Sequence, residues 1–329
     1  MENINKGIIC VTGGTGYVAS WLIMRLLQSG YFVNTTINNN LDQGASNFLM
    51  KLPNASQKLK IFNTNPENCE SFYPAIEGCN GVIIGHSVDF EDKYDEEPKI
   101  ERSIEGILEI LKACLETKTI ERVVYTSSDA TLCFNKEWPD VVDESWWSDV
   151  DFIRKLGPSG PFYCISKRFI EKAALDFAGK NGLDFVCVNH AWVFGPFVTP
   201  QCPLLVSRHL PMILKGNWTN IEYDSGVIPF VHVDDVARAH IFLLECPKVK
   251  GRYICSRVEL TAHELSQFLR ATYPQYKIPT FDCLKVATKP FKFPRLSSKK
   301  LLDAGFKYEY DLEDMYDGAI ASCKQVGLL

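Results

Sequence analysis

The chain has 329 residues, of which 46% are hydrophobic and 23% charged, with a formal net charge of −5. These values lie near the globular average and exclude a disordered, collagen-like or coiled-coil chain. No apolar run is long enough to span a bilayer and no basic block occurs, so neither a membrane nor a nucleic-acid partner is expected.

Residues 7–12 form a short apolar run rich in β-branched side chains, the pattern of a buried strand. A turn at 13–16 follows. Apolar residues then recur at helical spacing over 17–27, and Ser29-Gly30 supplies a stop signal. Further strands are predicted at 31–37, 58–62, 81–84, 122–126 and 185–188, and helices at 69–76, 100–116 and 162–179. Strands alternating with helices imply βαβ units, hence an α/β fold with a parallel sheet and right-handed crossovers that put helices on both faces. Beyond about residue 195 the texture changes. Prolines fall at 196, 200, 203 and 211, a turn is predicted at 232–235, a strand at 251–255, a helix at 262–273, and a Pro-rich stretch at 290–294. This part reads as a smaller, irregular lobe.

The 12 cysteines sit at 10, 69, 79, 114, 133, 164, 187, 202, 246, 255, 283 and 323. No pair has C-x-x-C spacing and no Cys/His cluster repeats a zinc pattern, so no metal is expected. Residues 1–7 (MENINKG) lack the apolar stretch of a signal peptide. The expectation is a cytoplasmic protein whose reduced cysteines behave as small hydrophobes.

The run Thr12-Gly13-Gly14-Thr15-Gly16-Tyr17-Val18-Ala19 joins the first strand to the first helix. Gly13 and Gly16 allow a tight turn and close backbone approach to a pyrophosphate, and the N–H groups at Tyr17 and Val18 open the helix. Downstream, Tyr163 and Lys167 stand four apart on a predicted helix, one turn apart on one face. Thr126-Ser127-Ser128 ends a strand of the same sheet, at the strand C-termini where open α/β sheets bind ligands.

TGxxGxxA after the first strand, a Ser at the end of the fifth and YxxxK together resemble the extended short-chain dehydrogenase/reductases. Residues 143–149 (DESWWSD), 231–235 (VHVDD) and 251–255 (GRYIC) resemble the plant branch of dihydroflavonol, vestitone and anthocyanidin reductases and noscapine-synthase-like dehydrogenases. The resemblance implies a Rossmann-type doubly wound parallel sheet with a smaller C-terminal substrate lobe. It places a dinucleotide-binding domain with the catalytic residues over 1–190, and mainly the substrate lobe over 191–329, with segments returning to the first domain. It implies an oxidoreductase using NADP(H) or NAD(H) on a carbonyl or alcohol of an alkaloid, flavonoid or terpenoid. By resemblance, Ser128 holds the substrate oxygen, Tyr163 gives the proton, and Lys167 holds the nicotinamide ribose and lowers the phenol's pKa. A monomer acting on a small molecule is expected.

The cofactor groove departs from that family. Asn38 stands where the branch usually has the Arg that contacts the NADP 2′-phosphate, and residues 31–50 contain no Lys or Arg. Losing such a contact removes roughly 1.5–3 kcal/mol. Asn65-Pro66 replaces an Asp-Leu pair beside the adenine, His86 replaces a small residue before Ser87, and His190 replaces a Pro near the nicotinamide, with Val193 close by. These changes keep two alternatives open. One is a non-redox cyclase, isomerase or lyase using Tyr163, Lys167, Ser128 and a histidine, His86 or His190, with little or no nicotinamide dependence. The other is a catalytically silent binding protein. Asp129, Cys133, Trp192 and Phe194 are expected to line the substrate pocket, with Asp129 placed to pair with a basic amine.

Overall fold

The computed structural model describes residues 6–38, 46–65, 68–85, 96–137, 139–156, 161–214, 227–278, 280 and 293–329. Its strands are β1 (Ile8–Thr12), β2 (Phe32–Asn38), β3 (Leu59–Thr64), β4 (Gly81–Gly85), β5 (Arg122–Ser128), β6 (Val141–Val142), β7 (Phe185–His190), β8 (Trp192–Phe194), β9 (Ile228–His232), β10 (Gly251–Cys255), β11 (Val258–Leu260) and β12 (Arg295–Leu296). Seven of them form one all-parallel sheet in the order β3-β2-β1-β4-β5-β7-β10. The central strands read as unbroken apolar runs because helices cover both faces. Helices Tyr17–Gln28 and Val233–Glu245 pack on one face, through Leu22, Ile23, Leu26, Val236 and Ala237. Helices Glu96–Glu116 and Pro161–Asn181 pack on the other, through Ile107, Leu111, Ile165 and Ile170. This is the Rossmann-type α/β architecture that the alternating pattern predicts.

The C-terminal part is more regular than its proline content suggests. The turn expected at 232–235 is a strand-to-helix junction. His232 ends β9 and caps the helix Val233–Glu245, its Nδ1 accepting the Asp234 N–H at 3.0 Å. Helices Leu204–Leu214 and Leu312–Gln325 were not expected either. The second begins with a reciprocal Asp311–Asp314 capping box, whose two aspartates disguise a signal usually carried by Ser or Thr with Glu or Gln. The helix predicted over 69–76 is instead a 3₁₀ turn, Cys69–Phe72, followed by one α turn, Tyr73–Ile76, with a proline in its first turn. Strands β8, β9 and β11 form a small sheet, and Phe194, Phe230, Leu265, Leu269 and Tyr316 fill a separate core beneath it.

Residues within three distinctive segments tie the layers together. Asp234 accepts from the Trp21 indole at 2.7 Å and pairs with Arg25 at 3.0 Å, fixing the first helix to its neighbour. Asp235 accepts the Glu309 and Tyr310 N–H groups and pairs with Arg238 at 2.7 Å. Arg252, in β10, donates to the Glu144 and Trp146 carbonyls and lies over the Trp147 ring at 3.7 Å. The segments that carry the family resemblance therefore act largely as fasteners.

Candidate active site

The strand order reverses between β1 and β4, and the crevice at such a switch point is where open α/β sheets bind ligands. The turn after β1 faces that crevice. Gly13 has φ +67°, and a Cβ there would sit 3.0 Å from the Gly85 carbonyl at the end of β4. A side chain at Gly14 would collide with the Thr35 hydroxyl. The turn is held by Thr36 of β2, which accepts the Gly13 N–H on its hydroxyl at 3.0 Å and the Gly14 N–H on its carbonyl at 2.8 Å. Gly13 and Gly16 are exposed. Helix Tyr17–Gln28 opens at Gly16 with no side-chain cap and no acidic residue in its first turn. Exposed turn backbone and an uncapped helix N-terminus without negative charge fit a dinucleotide pyrophosphate. The Tyr17 hydroxyl is buried and has no hydrogen-bond partner among the described residues.

Across the crevice, β5 ends at Ser128, 4% exposed. Its hydroxyl donates to Asp129 Oδ1 at 3.0 Å and accepts the Ala130 N–H at 3.2 Å. Tyr163, half-buried near the start of helix Pro161–Asn181, hydrogen-bonds Ser128. Burial pushes the Tyr163 phenol up, Ser128 pulls it down, and the Asp129 charge pushes it up again. Lys167 follows on the same face of this helix. It lies one turn deeper, 2% exposed, donating to the Thr126 carbonyl at 3.1 Å and sitting 5.3 Å from the Tyr125 ring centroid. Burial lowers the Lys167 ammonium to about 8 against the opposing pull of Glu171.

Glu171 continues the stripe one turn beyond Lys167 and is wholly buried. It accepts from Ser127 and from Asn189 (2.7 Å) on one oxygen, and pairs with Arg252 on the other. Arg252 and Asn189 both donate to the Thr131 hydroxyl at 2.9 Å. The loop after Ser128 thus hangs from one buried polar network rooted in the helix Pro161–Asn181. The i+4 spacing from Lys167 was the only signal in the sequence that could have pointed to Glu171. His240 adds a second tie. Its Nδ1 donates to the Val236 carbonyl, so its Nε2 accepts from the Thr126 hydroxyl at 3.0 Å.

Gly13, Gly16, Tyr17, Val18, Ser128, Tyr163, Lys167 and His190 all fall at this edge of the sheet. Asn38 ends β2 opposite Thr64, and Asn65 follows β3, where the Ser71 hydroxyl bonds both its N–H and its carbonyl. His86 and Ser87 lie outside the described residues. His190 pairs in register with Ser128. Its Nδ1 donates to the Ala191 carbonyl at 2.9 Å and burial pushes it down to about 4, so it is neutral near pH 7. Phe194 corrects an expectation. It is 2% exposed, packs 4.9 Å from the Tyr316 ring and belongs to the lobe core, because the helix Leu312–Gln325 covers it. Cys133, 2% exposed, is likewise a core side chain, and Val193, expected beside the cofactor, has its side chain in the same core at 3% exposure. Trp192 is half-buried and meets Phe230 edge-on. Among the described residues, no group of three or more His, Cys, Asp or Glu could hold a metal, and no helix is long and apolar enough to cross a membrane.

Residues 9–255 match the NAD dependent epimerase/dehydratase family. The chain is 46% identical over 328 residues to a vestitone reductase of Medicago sativa, across 98% of this chain and 99% of that protein. The crystal structure of the alfalfa vestitone reductase aligns with a TM-score of 0.88 at 45% identity, covering 98% of this chain and 100% of that one. A noscapine synthase of Papaver somniferum is 43% identical over 338 residues, covering 100% of this chain and 95% of that protein.

Proposed function

The chain belongs to the NAD dependent epimerase/dehydratase family, in the branch that holds those plant reductases, and from that premise we propose a nicotinamide-dependent reductase of a carbonyl on a specialised metabolite of alkaloid, flavonoid or terpenoid type. The observation that carries this reading is the hydrogen-bonded Ser128–Tyr163 pair, set across the sheet's switch point from the glycine turn, with Lys167 one helical turn below. When bound, the nicotinamide supplies the hydride.

The chain's own residues supply the rest. The turn at Gly13–Gly16 and the N–H groups of Tyr17 and Val18 would hold the pyrophosphate. Asn38 and Asn65, at the ends of β2 and β3, offer neutral amides on the adenosine side. Ser128 orients the substrate oxygen and Tyr163 delivers a proton to it. Lys167, anchored through the Thr126 carbonyl, keeps a positive charge beneath the pair below about pH 8. Trp192 and Asp129 are the side chains on the substrate side. Of the two histidines open to the non-redox alternative, His190 is held neutral near pH 7 by burial, and His86 lies outside the described residues.

Incubation with NADPH and a panel of aromatic ketones tests the assignment. Consumption of NADPH with formation of an alcohol is expected. Tight ligand binding without turnover would favour the silent binding protein instead.

A further inference from the structure

Asp129 stands out in the catalytic cluster because it occupies Ser128. A serine hydroxyl has one proton to give and two lone pairs to receive. Here Asp129 Oδ1 takes the proton and one lone pair takes the Ala130 N–H, while Tyr163, whose phenol Ser128 pulls down, competes with Asp129 for that same proton. Bound in this way, Ser128 has no proton left for a substrate oxygen, although a reductase needs one there. An ionised carboxylate can only accept, so while Asp129 is charged the Ser128 proton is turned away from the crevice. A protonated Asp129 donates instead, and the Ser128 proton is then released toward Tyr163 and the reacting oxygen.

We propose that Asp129 is a positioning residue whose protonation sets the direction of the Ser128 hydroxyl, arming the site for carbonyl reduction when neutral and withdrawing the serine proton when ionised. This rests on the reductase reading above. The surroundings support it. Cys133 faces Asp129 from its own segment, and Tyr163 and Cys164 face it from the catalytic helix. Burial pushes all three up, so each is neutral near pH 7 and none offsets a carboxylate. His190, in register with Ser128 on β7, is also neutral there. Arg252 is committed to Glu171. Burial lifts the Asp129 carboxyl to about 6, while its bonds from Ser128 and Ala130 pull the other way.

The test is the pH profile of kcat/KM for NADPH-dependent reduction of 4-chromanone between pH 5 and 8, in the wild type, Asp129→Asn and Ser128→Ala. The wild-type rate should fall about tenfold per pH unit once Asp129 ionises, above about pH 6. That limb should vanish in Asp129→Asn, whose amide does not titrate, and from the residual activity of Ser128→Ala, which has no hydroxyl to turn. A limb that persists in Asp129→Asn overturns the inference. Infrared difference spectra between pH 5 and 7.5 provide a readout independent of turnover. The wild type should lose a protonated-carboxyl band that Asp129→Asn lacks, and absence of that band in the wild type also overturns the inference. If no form consumes NADPH, the reductase reading fails while the infrared titration still decides what Asp129 does.

Discussion

On the proposed reading Tyr163 delivers the proton, and burial holds its phenol up against the pull of Ser128. A group kept protonated in this way suits donation of a proton to an oxygen that gains negative charge. Tyr163→Phe should therefore lower kcat by about 10²–10⁴-fold with the fold unchanged, read by steady-state kinetics beside circular dichroism. Glu171 makes a different prediction. It raises the pKa of Lys167 while burial lowers it, with a net value of about 8. Lys167 is charged below that pH and loses its charge above it. Removing the Glu171 charge in Glu171→Gln lowers the Lys167 pKa further, so the alkaline limb of the rate profile should move to lower pH. The same change leaves Arg252 without its buried partner and should cost about 3–5 kcal/mol in urea unfolding. Tyr163, Lys167 and Ser128 could be found in the sequence because their spacing is a local pattern. Glu171 had only its i+4 spacing from Lys167, and Asn189, Thr131 and Arg252 had no local signal, because two strands, a turn and a helix separated in sequence bring the four together.

At the scale of elements, the first strand, turn and helix were readable because glycine geometry and apolar spacing are local. Gly13 and Gly14 are required by contacts with Gly85 and Thr35, which lie on the neighbouring strands. The helices Val233–Glu245 and Leu312–Gln325 escaped notice because a histidine cap and an Asp–Asp capping box replace the usual start signals. Phe194 was misassigned for a related reason. Alternation along a strand says which residues share a face, but the lobe packed behind β8 decides which face is covered. The end of β2 offers a direct test of cofactor recognition. By resemblance to the plant branch, Asn38 there would meet a 2′-phosphate with an amide in place of a guanidinium. Asn38→Arg should tighten NADPH binding by about 10- to 100-fold and leave NADH unaffected, as read by fluorescence titration. Equal effects on both dinucleotides would remove Asn38 from the phosphate side of the groove.

For the whole molecule, composition and charge bounded the architecture, and strand–helix alternation pointed to the parallel sheet. How the C-terminal part returns to that sheet could not be read from the sequence, since β10 pairs with β7 across an intervening small sheet. The return is secured by charged side chains within the segments that carry the family resemblance. Asp235, wholly buried, holds the backbone at 309–310 against the helix Val233–Glu245. Asp235→Ala should destabilise the protein by about 3 kcal/mol in denaturant unfolding, because two backbone N–H groups and Arg238 lose a charged acceptor. The account as a whole depends on this molecule binding a nicotinamide dinucleotide with neutral groups where a phosphate-reading cation is usual. Titration of the protein with NADPH and with NADH, followed by tryptophan fluorescence, tests that most directly. Saturable binding of both, with dissociation constants within about tenfold of each other, is the predicted result; no saturable binding of either would contradict it.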